Sequence, residues 1–180
     1  HAKAVVAEVN AQMPRTLGNS VLPLERVTAF TVTDRPLVEH PPGETSAVEA
    51  SIGERIAELV DDGSCLQMGI GAIPDAVLAR LGNKHDLGIH TEMFSDGLIS
   101  LVEGGVITNR NKKVHAGRSV VSFVTGTRKL FDFVHDNQQV EFHPCDRTND
   151  TALISKNDKV VAINSAIEVD LSGQVCADSM

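Results

Sequence analysis

The sequence predicts an α/β fold, with an open and mostly parallel sheet flanked by helices. Strand-like apolar runs alternate along the chain with segments whose apolar residues recur at helical spacing. Two of the strands, Cys65 to Met68 and Leu87 to Thr91, are separated by one helical segment, and such βαβ units place their strands parallel. The chain has 180 residues, of which 42% are hydrophobic, and this is enough to bury a substantial core.

The first strand is predicted over Ala4 to Val9 and the second over Val27 to Val32, with a loop rich in turn residues between them. Prolines and a glycine then interrupt all periodicity over residues 34–45, which marks a linker. We therefore expect residues 1–45 to be the end of an N-terminal α/β domain plus this linker. Residues 46–180 are expected to form the first part of a C-terminal domain, so that the chain is the central piece of a longer protein.

The second part opens with a helix. Ser46 and Glu49 have the spacing of a capping box, in which each side chain satisfies a backbone N–H of the first turn. The apolar spacing that follows predicts a helix over 47–61. After the next strand, a glycine loop leads into a helix predicted over 74–81 and closed by Gly82. The remaining predicted elements are a helix over Leu98 to Val102, a strand over Val120 to Val124, a helix over Lys129 to His135, and strands over Val140 to Phe142 and Val160 to Ile163.

Charge and composition exclude several classes of function. The formal net charge is −8 and the basic residues are dispersed, which argues against a surface that follows a nucleic-acid backbone. The longest apolar runs are far shorter than the roughly 20 residues that cross a bilayer, so no membrane span is expected. The three cysteines are odd in number and widely spaced, a pattern typical of reduced thiols, and this indicates a cytoplasmic protein.

A glycine loop and an acidic residue follow two successive predicted strands. Gly69-Ile70-Gly71 lies between a strand and a helix, where glycines let a ligand approach backbone N–H groups. Glu92 directly follows the next strand. If the two strands are adjacent and parallel, the loop and the carboxylate share the carboxyl edge of the sheet, where open α/β folds bind ligands. Taken alone, the loop also fits a plain tight turn, and Glu92 fits a solvated or helix-capping residue.

A dinucleotide site fits part of this pattern. Such a fold has a glycine loop after its first strand and, about 20 residues on, an acidic residue that holds the ribose. Here Pro74 replaces the third glycine of that motif, which weakens this interpretation without removing it.

Zinc chemistry is a second alternative. His90-Thr91-Glu92 matches half of the zinc deaminase signature, but Thr148 stands where the other half requires a cysteine. The remaining possible ligands have no recognised tetrahedral spacing, so we predict no metal. These ligands are His135, His143 and Cys145.

Two blocks of sequence, Gln67 to Leu78 and Leu87 to Gly97, resemble the acetyl-CoA hydrolase/transferase family, especially its 4-hydroxybutyrate and butyrate:acetate CoA-transferases. The likeness runs along the chain through further blocks, which are Ala7 to Asn10, Met13 to Gly18, Glu141 to Pro144 and Asn164 to Leu171. The resemblance implies a CoA-transferase-like fold. It also implies acyl-CoA and a carboxylic acid as small-molecule partners, and a homodimer.

The family uses the glutamate that follows the His-Thr pair as its nucleophile, which implies that Glu92 attacks the acyl-CoA thioester and then carries CoA as a glutamyl thioester. A glutamate side chain is ionised at neutral pH and needs no separate base. Asn10 and Met13 are expected to face the pocket for the acid. The residues expected to contact CoA are Gln67, Met68, Gly69, Ile70, Gly71, Asn164 and Ser165.

The implied activity is transfer of CoA from a short-chain acyl-CoA to a carboxylic acid such as acetate. Two alternatives stay open: an acyl-CoA hydrolase that uses the same carboxylate with water as acceptor, and a CoA-binding fragment without turnover. The second arises because the glycine-rich region that relatives carry after the segment Ala177 to Ser179 is absent from this sequence. Arg147 stands where relatives often carry an aromatic residue, which leaves the acyl selectivity open.

Overall fold

The structure is a computed structural model that describes residues 2–177. Within this range the strands are β1 (Val6–Asn10), β2 (Leu17–Gly18), β3 (Ala29–Thr33), β4 (Cys65–Met68), β5 (Gly88–Ile89), β6 (Met93–Phe94), β7 (Ser119–Val121), β8 (Phe123–Val124), β9 (Val140–Phe142), β10 (Val160–Ile163), β11 (Glu168–Val169) and β12 (Val175–Cys176). The helices are α1 (Ala47–Glu58), α2 (Ala72–Leu78), α3 (Gly97–Glu103), α4 (Arg128–Val134), α5 (Cys145–Thr148) and α6 (Thr151–Ile154).

The strands of the second part, together with β2 of the N-terminal part, form short parallel ladders that continue one another. One ladder has the order β10-β4-β5, and a second has the order β2-β9-β7. An isolated parallel bridge between His90 and Val120 joins them. The predicted βαβ unit is confirmed, because Cys65 and Leu66 pair in parallel register with Gly88 and Ile89. The predicted α/β class with a mostly parallel sheet is therefore confirmed; the pair β11-β12 is antiparallel.

The core lies between these ladders and the helices that cover them. Helices α1 and α2 pack so closely that a Cβ on Gly53 would lie 2.7 Å from the carbonyl group of Ala76, so this position requires glycine. The rings of Phe94 and Phe133 stack with centroids 6.0 Å apart. Fully buried side chains at the centre include Leu66, Val77, Leu87, Ile89, Leu98, Val121 and Leu130.

Helix α1 begins as predicted. The Ser46 side chain accepts from the Glu49 N–H at 3.3 Å, and Glu49 Oε2 accepts from the Ser46 N–H at 2.7 Å. The prediction for the next helix is wrong at both ends. Helix α2 starts at Ala72 because Gly71, with φ +103°, serves as its N-cap, and Gly82 lies inside a separate 3-10 turn instead of closing the helix.

The single strand predicted over Val120 to Val124 is divided in the structure. Its first half, β7, pairs with β9, whereas its second half, β8, pairs with β6. The division occurs because the N–H groups of Ser122 and Phe123 both donate to the carbonyl of Glu92, at 2.8 and 3.0 Å. The strand pairing therefore changes from one ladder to the next beside Glu92.

The N-terminal part forms its own parallel pair, β1-β3. Residues 34–46 contain no helix or strand, as a linker would, but they are held against the second part. The His40 N–H donates to the carbonyl of Gly126 at 2.9 Å, and Glu39 Oε2 accepts from the Arg128 N–H at 2.8 Å. The domain boundary at residue 45 stays a prediction. No helix within residues 2–177 has the length and apolar character needed to span a bilayer.

Candidate active site

Glu92 lies where the chain crosses from one ladder to the next. The His90 N–H donates to the carbonyl of Leu66 in β4 at 3.0 Å, and the Thr91 N–H donates to the carbonyl of Val120 in β7 at 2.9 Å. The Glu92 carbonyl then accepts the two bonds from the β7-β8 junction. Successive residues thus bond to three different strands, which fixes the backbone of Glu92 at the carboxyl edge of β4 and β5.

Thr91 ties this segment to the glycine loop. Its side chain is buried, and Oγ1 accepts from the Met68 N–H at 3.0 Å. The same hydroxyl lies 3.0 Å from the Met68 carbonyl and 3.1 Å from the Met93 carbonyl, so it can donate to either one. Because Met68 ends β4 and begins the loop, Glu92 and the glycine loop lie next to each other.

The carboxylate of Glu92 is half-buried and has two different donors. Asn149 Nδ2 donates to Oε2 at 2.8 Å, which is a short bond to a charged acceptor. Cys145 Sγ approaches Oε1 at 3.5 Å, and a thiol is a weak donor. The two oxygens are therefore unequal: Oε2 is firmly held, and Oε1 keeps most of its lone-pair capacity.

Both donors come from α5 and its end, which are held in place through the buried Thr148. His90 Nε2 bonds to the Thr148 carbonyl at 2.8 Å, and Ser122 Oγ donates to Thr148 Oγ1 at 2.9 Å. Neither α5 nor Asn149 was predicted from the sequence. The four-residue helix is too short to show a periodic apolar face, and asparagine is a residue type common in turns.

The ends of β4 and β10 also meet at this edge. The side-chain amides of Gln67 and Asn164 exchange two hydrogen bonds, of 3.1 and 2.8 Å. The Gly69 N–H donates to the carbonyl of Ile163 at 2.8 Å, and a Cβ on Gly69 would lie 3.0 Å from Asn164 Oδ1. Ser165 follows on the exposed segment after β10. The two groups of residues predicted to contact CoA are therefore adjacent in space.

Within the loop the residues differ in what they can offer a ligand. The Met68 side chain is 1% exposed and belongs to the core, so only its backbone is available. Ile70 is 45% exposed, and with Gly71 it lines a cavity of about 180 Å³ together with Ser95 and Asp96.

The two residues predicted for the acid pocket have separate roles. Asn10 holds the turn after β1: its Nδ2 donates to the Arg35 carbonyl at 3.0 Å, and its Oδ1 accepts from the Gln12 N–H at 2.9 Å. Met13 is exposed and lines an apolar cavity of about 410 Å³. The other apolar residues of this cavity include Leu37, Val38, Phe123, Val124, Phe131 and Phe142.

Comparison with known proteins gives a consistent result. Residues 126–180 match the acetyl-CoA hydrolase/transferase C-terminal domain. Over 99% of its length the chain is 51% identical to a 4-hydroxybutyrate coenzyme A transferase of Clostridium kluyveri, of which it covers 42%. It is 46% identical, again over 99% of its length, to a succinyl-CoA:cyclohexane-1-carboxylate CoA transferase of Geobacter metallireducens, of which it covers 41%. The resemblance to the acetyl-CoA hydrolase/transferase family is confirmed.

Solved structures support the same relationship. The chain superposes on a 4-hydroxybutyrate CoA-transferase from Porphyromonas gingivalis with a TM-score of 0.91 and 44% identity, covering 96% of this chain and 44% of that one. It superposes on RipA from Yersinia pestis with a TM-score of 0.93 and 38% identity, covering 98% and 41%. The chain thus spans about two fifths of the length of the relatives that it matches. The CoA-transferase-like fold is confirmed.

The metal ligands considered from sequence do not form one group. Cys145 contacts Glu92, and His135 Nδ1 accepts from the Arg15 N–H at 3.1 Å. His143 instead joins two residues that the sequence did not single out, His115 and Glu141, and ligand atoms of the three lie within 4.8 Å of one another. Such a group could hold a metal ion.

In the structure these three side chains are paired with one another and with arginines. Glu141 Oε2 lies 2.5 Å from His115 Nδ1 and 3.3 Å from His143 Nε2, while Glu141 Oε1 pairs with Arg118 at 3.2 Å. Arg147 Nη2 lies 3.3 Å from His115 Nε2. Burial opposes ionisation of Glu141, but its bonds to both histidines and the charges of His115 and Arg118 outweigh this and hold its carboxyl pKa below the ordinary value.

Two buried ionisable groups, Lys112 and His90, lie at the end of β5, just before Glu92. Lys112 Nζ donates to the carbonyls of Ile89 and Arg118, at 2.7 and 2.6 Å. Burial lowers the lysine pKa from its ordinary value to about 8. Burial also lowers the pKa of His90, so the imidazole is neutral near physiological pH.

Proposed function

We propose that the protein containing this chain transfers coenzyme A from a short-chain acyl-CoA to a carboxylic acid such as acetate, with Glu92 as the nucleophile. The observation that carries this proposal is the half-buried Glu92 carboxylate beside the glycine loop, with Oε2 held by Asn149 at 2.8 Å. The relatives are named as CoA-transferases, and this supports the same reaction class.

The first half-reaction forms and breaks two acyl bonds. Glu92 Oε1 attacks the thioester carbonyl, the carbon–sulfur bond breaks, and a mixed anhydride and the CoA thiolate result. The thiolate then attacks the glutamyl carbonyl, the bond to the bridging oxygen breaks, and the original acyl group leaves as a carboxylate. Glu92 is left as a glutamyl-CoA thioester. The second acid attacks this thioester, and the same steps in reverse give the new acyl-CoA.

The unequal donors on the carboxylate suit this sequence. Oε1 has the weaker contact and is the better nucleophile. Oε2 becomes the glutamyl carbonyl oxygen, and negative charge develops on it when the thiolate attacks. Asn149 Nδ2 already points at that oxygen, and one such donor contributes about 3 kcal/mol to a transition state of this kind.

The CoA contacts are proposed for the loop from Gln67 to Gly71 and for the segment after β10. Gln67, Gly69, Asn164 and Ser165 would meet the CoA chain where β4 and β10 end, while Met68 would contribute its backbone and Ile70 its exposed side chain. The apolar cavity that Met13 lines would take the acyl chain, and Asn10 would shape the turn that presents Met13. We propose that no metal takes part.

Both intermediates react with water, so the complete site must exclude solvent. If exclusion fails, the same carboxylate makes an acyl-CoA hydrolase. We further propose a homodimer in the cytoplasm, on the basis of the family resemblance and the cysteine pattern, with small-molecule partners in place of nucleic acid or membrane.

The experiment is intact-mass spectrometry of the protein incubated with acetyl-CoA or butyryl-CoA and trapped with borohydride. Two forms are compared: the 180-residue chain, and a chimera in which it replaces the matching segment of the C. kluyveri transferase. A modification that maps to Glu92 and is lost in Glu92→Ala supports the mechanism. If both forms bind CoA and neither is modified, while the parent transferase is, covalent catalysis by Glu92 is refuted. Release of free acid without an added acceptor would identify the hydrolase.

A further inference from the structure

His90 is a buried histidine, 6% exposed, that the proposed chemistry does not use. It lies two residues before Glu92, and both side chains reach the same segment of chain, His90 at Thr148 and Glu92 at Asn149. Its Nε2 bonds to the backbone carbonyl of Thr148 at 2.8 Å. A carbonyl can only accept, so Nε2 carries the proton and His90 is the donor.

This bond closes a ring of contacts around the carboxylate. Thr148 is linked to His90 through its carbonyl and to Ser122 through its hydroxyl, and the Ser122 N–H donates to the Glu92 carbonyl. The residue after Thr148 is Asn149, whose Nδ2 reaches Glu92 Oε2. The distance between the end of β5 and helix α5 therefore fixes the distance between Asn149 and the Glu92 carboxylate.

Helix α5 needs such an attachment because it has little stability of its own. It is four residues long, far below the length at which an isolated helix is stable in water. Residues 144–147 are exposed, and Thr148 is the buried residue by which α5 is anchored. Two side-chain bonds to Thr148, one from His90 and one from Ser122, hold the helix end against the sheet.

We propose that His90 is a positioning residue that holds α5 in register with Glu92, so that Asn149 and Cys145 meet the two carboxylate oxygens. The structural part of this proposal is that His90 holds α5 against the sheet, and it does not depend on any activity. The kinetic part rests on the proposed function, because it requires that the Glu92 carboxylate reacts.

The decisive comparison is His90→Gln with His90→Asn. The glutamine amide nitrogen can occupy the place of Nε2 and keep the bond to Thr148, whereas the asparagine amide is one methylene too short. The two variants are equally polar, so burial of an amide affects both alike. His85→Asn is the control, since His85 is an exposed histidine whose side chain pairs with Asp62.

Hydrogen exchange on the 180-residue chain tests the docking without any activity. We expect the Thr148 and Asn149 amides to exchange about ten-fold faster in His90→Asn, as expected for loss of one buried hydrogen bond. His90→Gln and His85→Asn should match the unmodified protein. Equal protection of α5 in the asparagine and glutamine variants would overturn the proposal.

Adduct formation on Glu92 tests the consequence. The variants are made in whichever of the two forms, the 180-residue chain or the chimera, gives an adduct on Glu92. In that form His90→Asn should lower kcat by about 10- to 100-fold with little change in KM, since moving a catalytic group by about 1 Å has effects of this size. His90→Gln should restore most of the rate. If neither the wild-type protein nor any variant forms an adduct on Glu92, the proposed function fails. If the wild-type protein and all variants form the adduct at the same rate while hydrogen exchange in α5 differs, the positioning role is refuted.

Discussion

Replacement of Asn149 by alanine should slow the chemistry far more than it weakens the fold. The side chain donates a 2.8 Å bond to Glu92 Oε2, the oxygen on which charge develops during thiolate attack. Loss of one such donor costs about 3 kcal/mol in the transition state, which corresponds to a rate reduced by roughly 10²-fold. Asn149 is exposed and the carboxylate is half-buried, so water can replace the bond in the ground state. The loss of stability should therefore stay below about 1 kcal/mol.

Two measurements separate these effects. Rapid mixing with acyl-CoA followed by mass spectrometry gives the rate at which Glu92 is modified, and urea unfolding gives the stability. Asn83→Ala removes an exposed asparagine at the end of a 3-10 turn, beside a surface cavity whose lining includes no residue that contacts Glu92, and it should change neither.

A second substitution tests the same contact in the opposite sense. Asn149→Asp places a carboxylate where the amide donor stood, next to Glu92, and two carboxylates at this distance do not both ionise. We expect modification to be slower than in Asn149→Ala at neutral pH. An unchanged rate in both variants would refute the assignment of Asn149 to the glutamyl carbonyl oxygen.

Three other results are expected. Gly53→Ala should destabilise the fold by about 1–3 kcal/mol in thermal unfolding, because its Cβ would lie 2.7 Å from the Ala76 carbonyl; a neutral effect would mean that α1 and α2 do not pack this closely. Lys112 has a folded-state pKa of about 8, which is below its unfolded value. The unfolded chain therefore binds more protons than the folded chain between pH 8 and about 10.5. The free energy of unfolding should rise with pH across that window, by roughly 3 kcal/mol. In Lys112→Met this difference between pH 8 and pH 10 should disappear from urea unfolding curves, and its persistence would contradict the burial of the ammonium group. Met13→Phe should narrow the apolar cavity and shift the preference towards shorter acyl-CoA substrates in competition assays, whereas an unchanged preference would place the acyl chain elsewhere.

Local sequence signals predicted the features whose causes are local. The capping box at Ser46 and Glu49 forms as expected because its partners are three residues apart. The βαβ unit follows from the period of its apolar residues and the length of one helix. The wrong limits of α2 have the same origin: Pro74 suits a first turn, but Gly71 supplies the N-cap and moves the start two residues earlier.

By itself, the sequence determined the α/β class, the glycine loop and the position of Glu92 at the end of a strand, since each depends on residues close together in the chain. Only the tertiary structure decided what surrounds the carboxylate. Asn149 is 57 residues from Glu92, and the Thr148 carbonyl that accepts from His90 is 58 residues from it. Every residue type has a backbone carbonyl, so the residue that accepts such a bond cannot be recognised from its type. A four-residue helix is also too short to show a periodic apolar pattern. These partners meet because the sheet changes from one ladder to the next at Ser122, and that change depends on strand pairing across the whole fold.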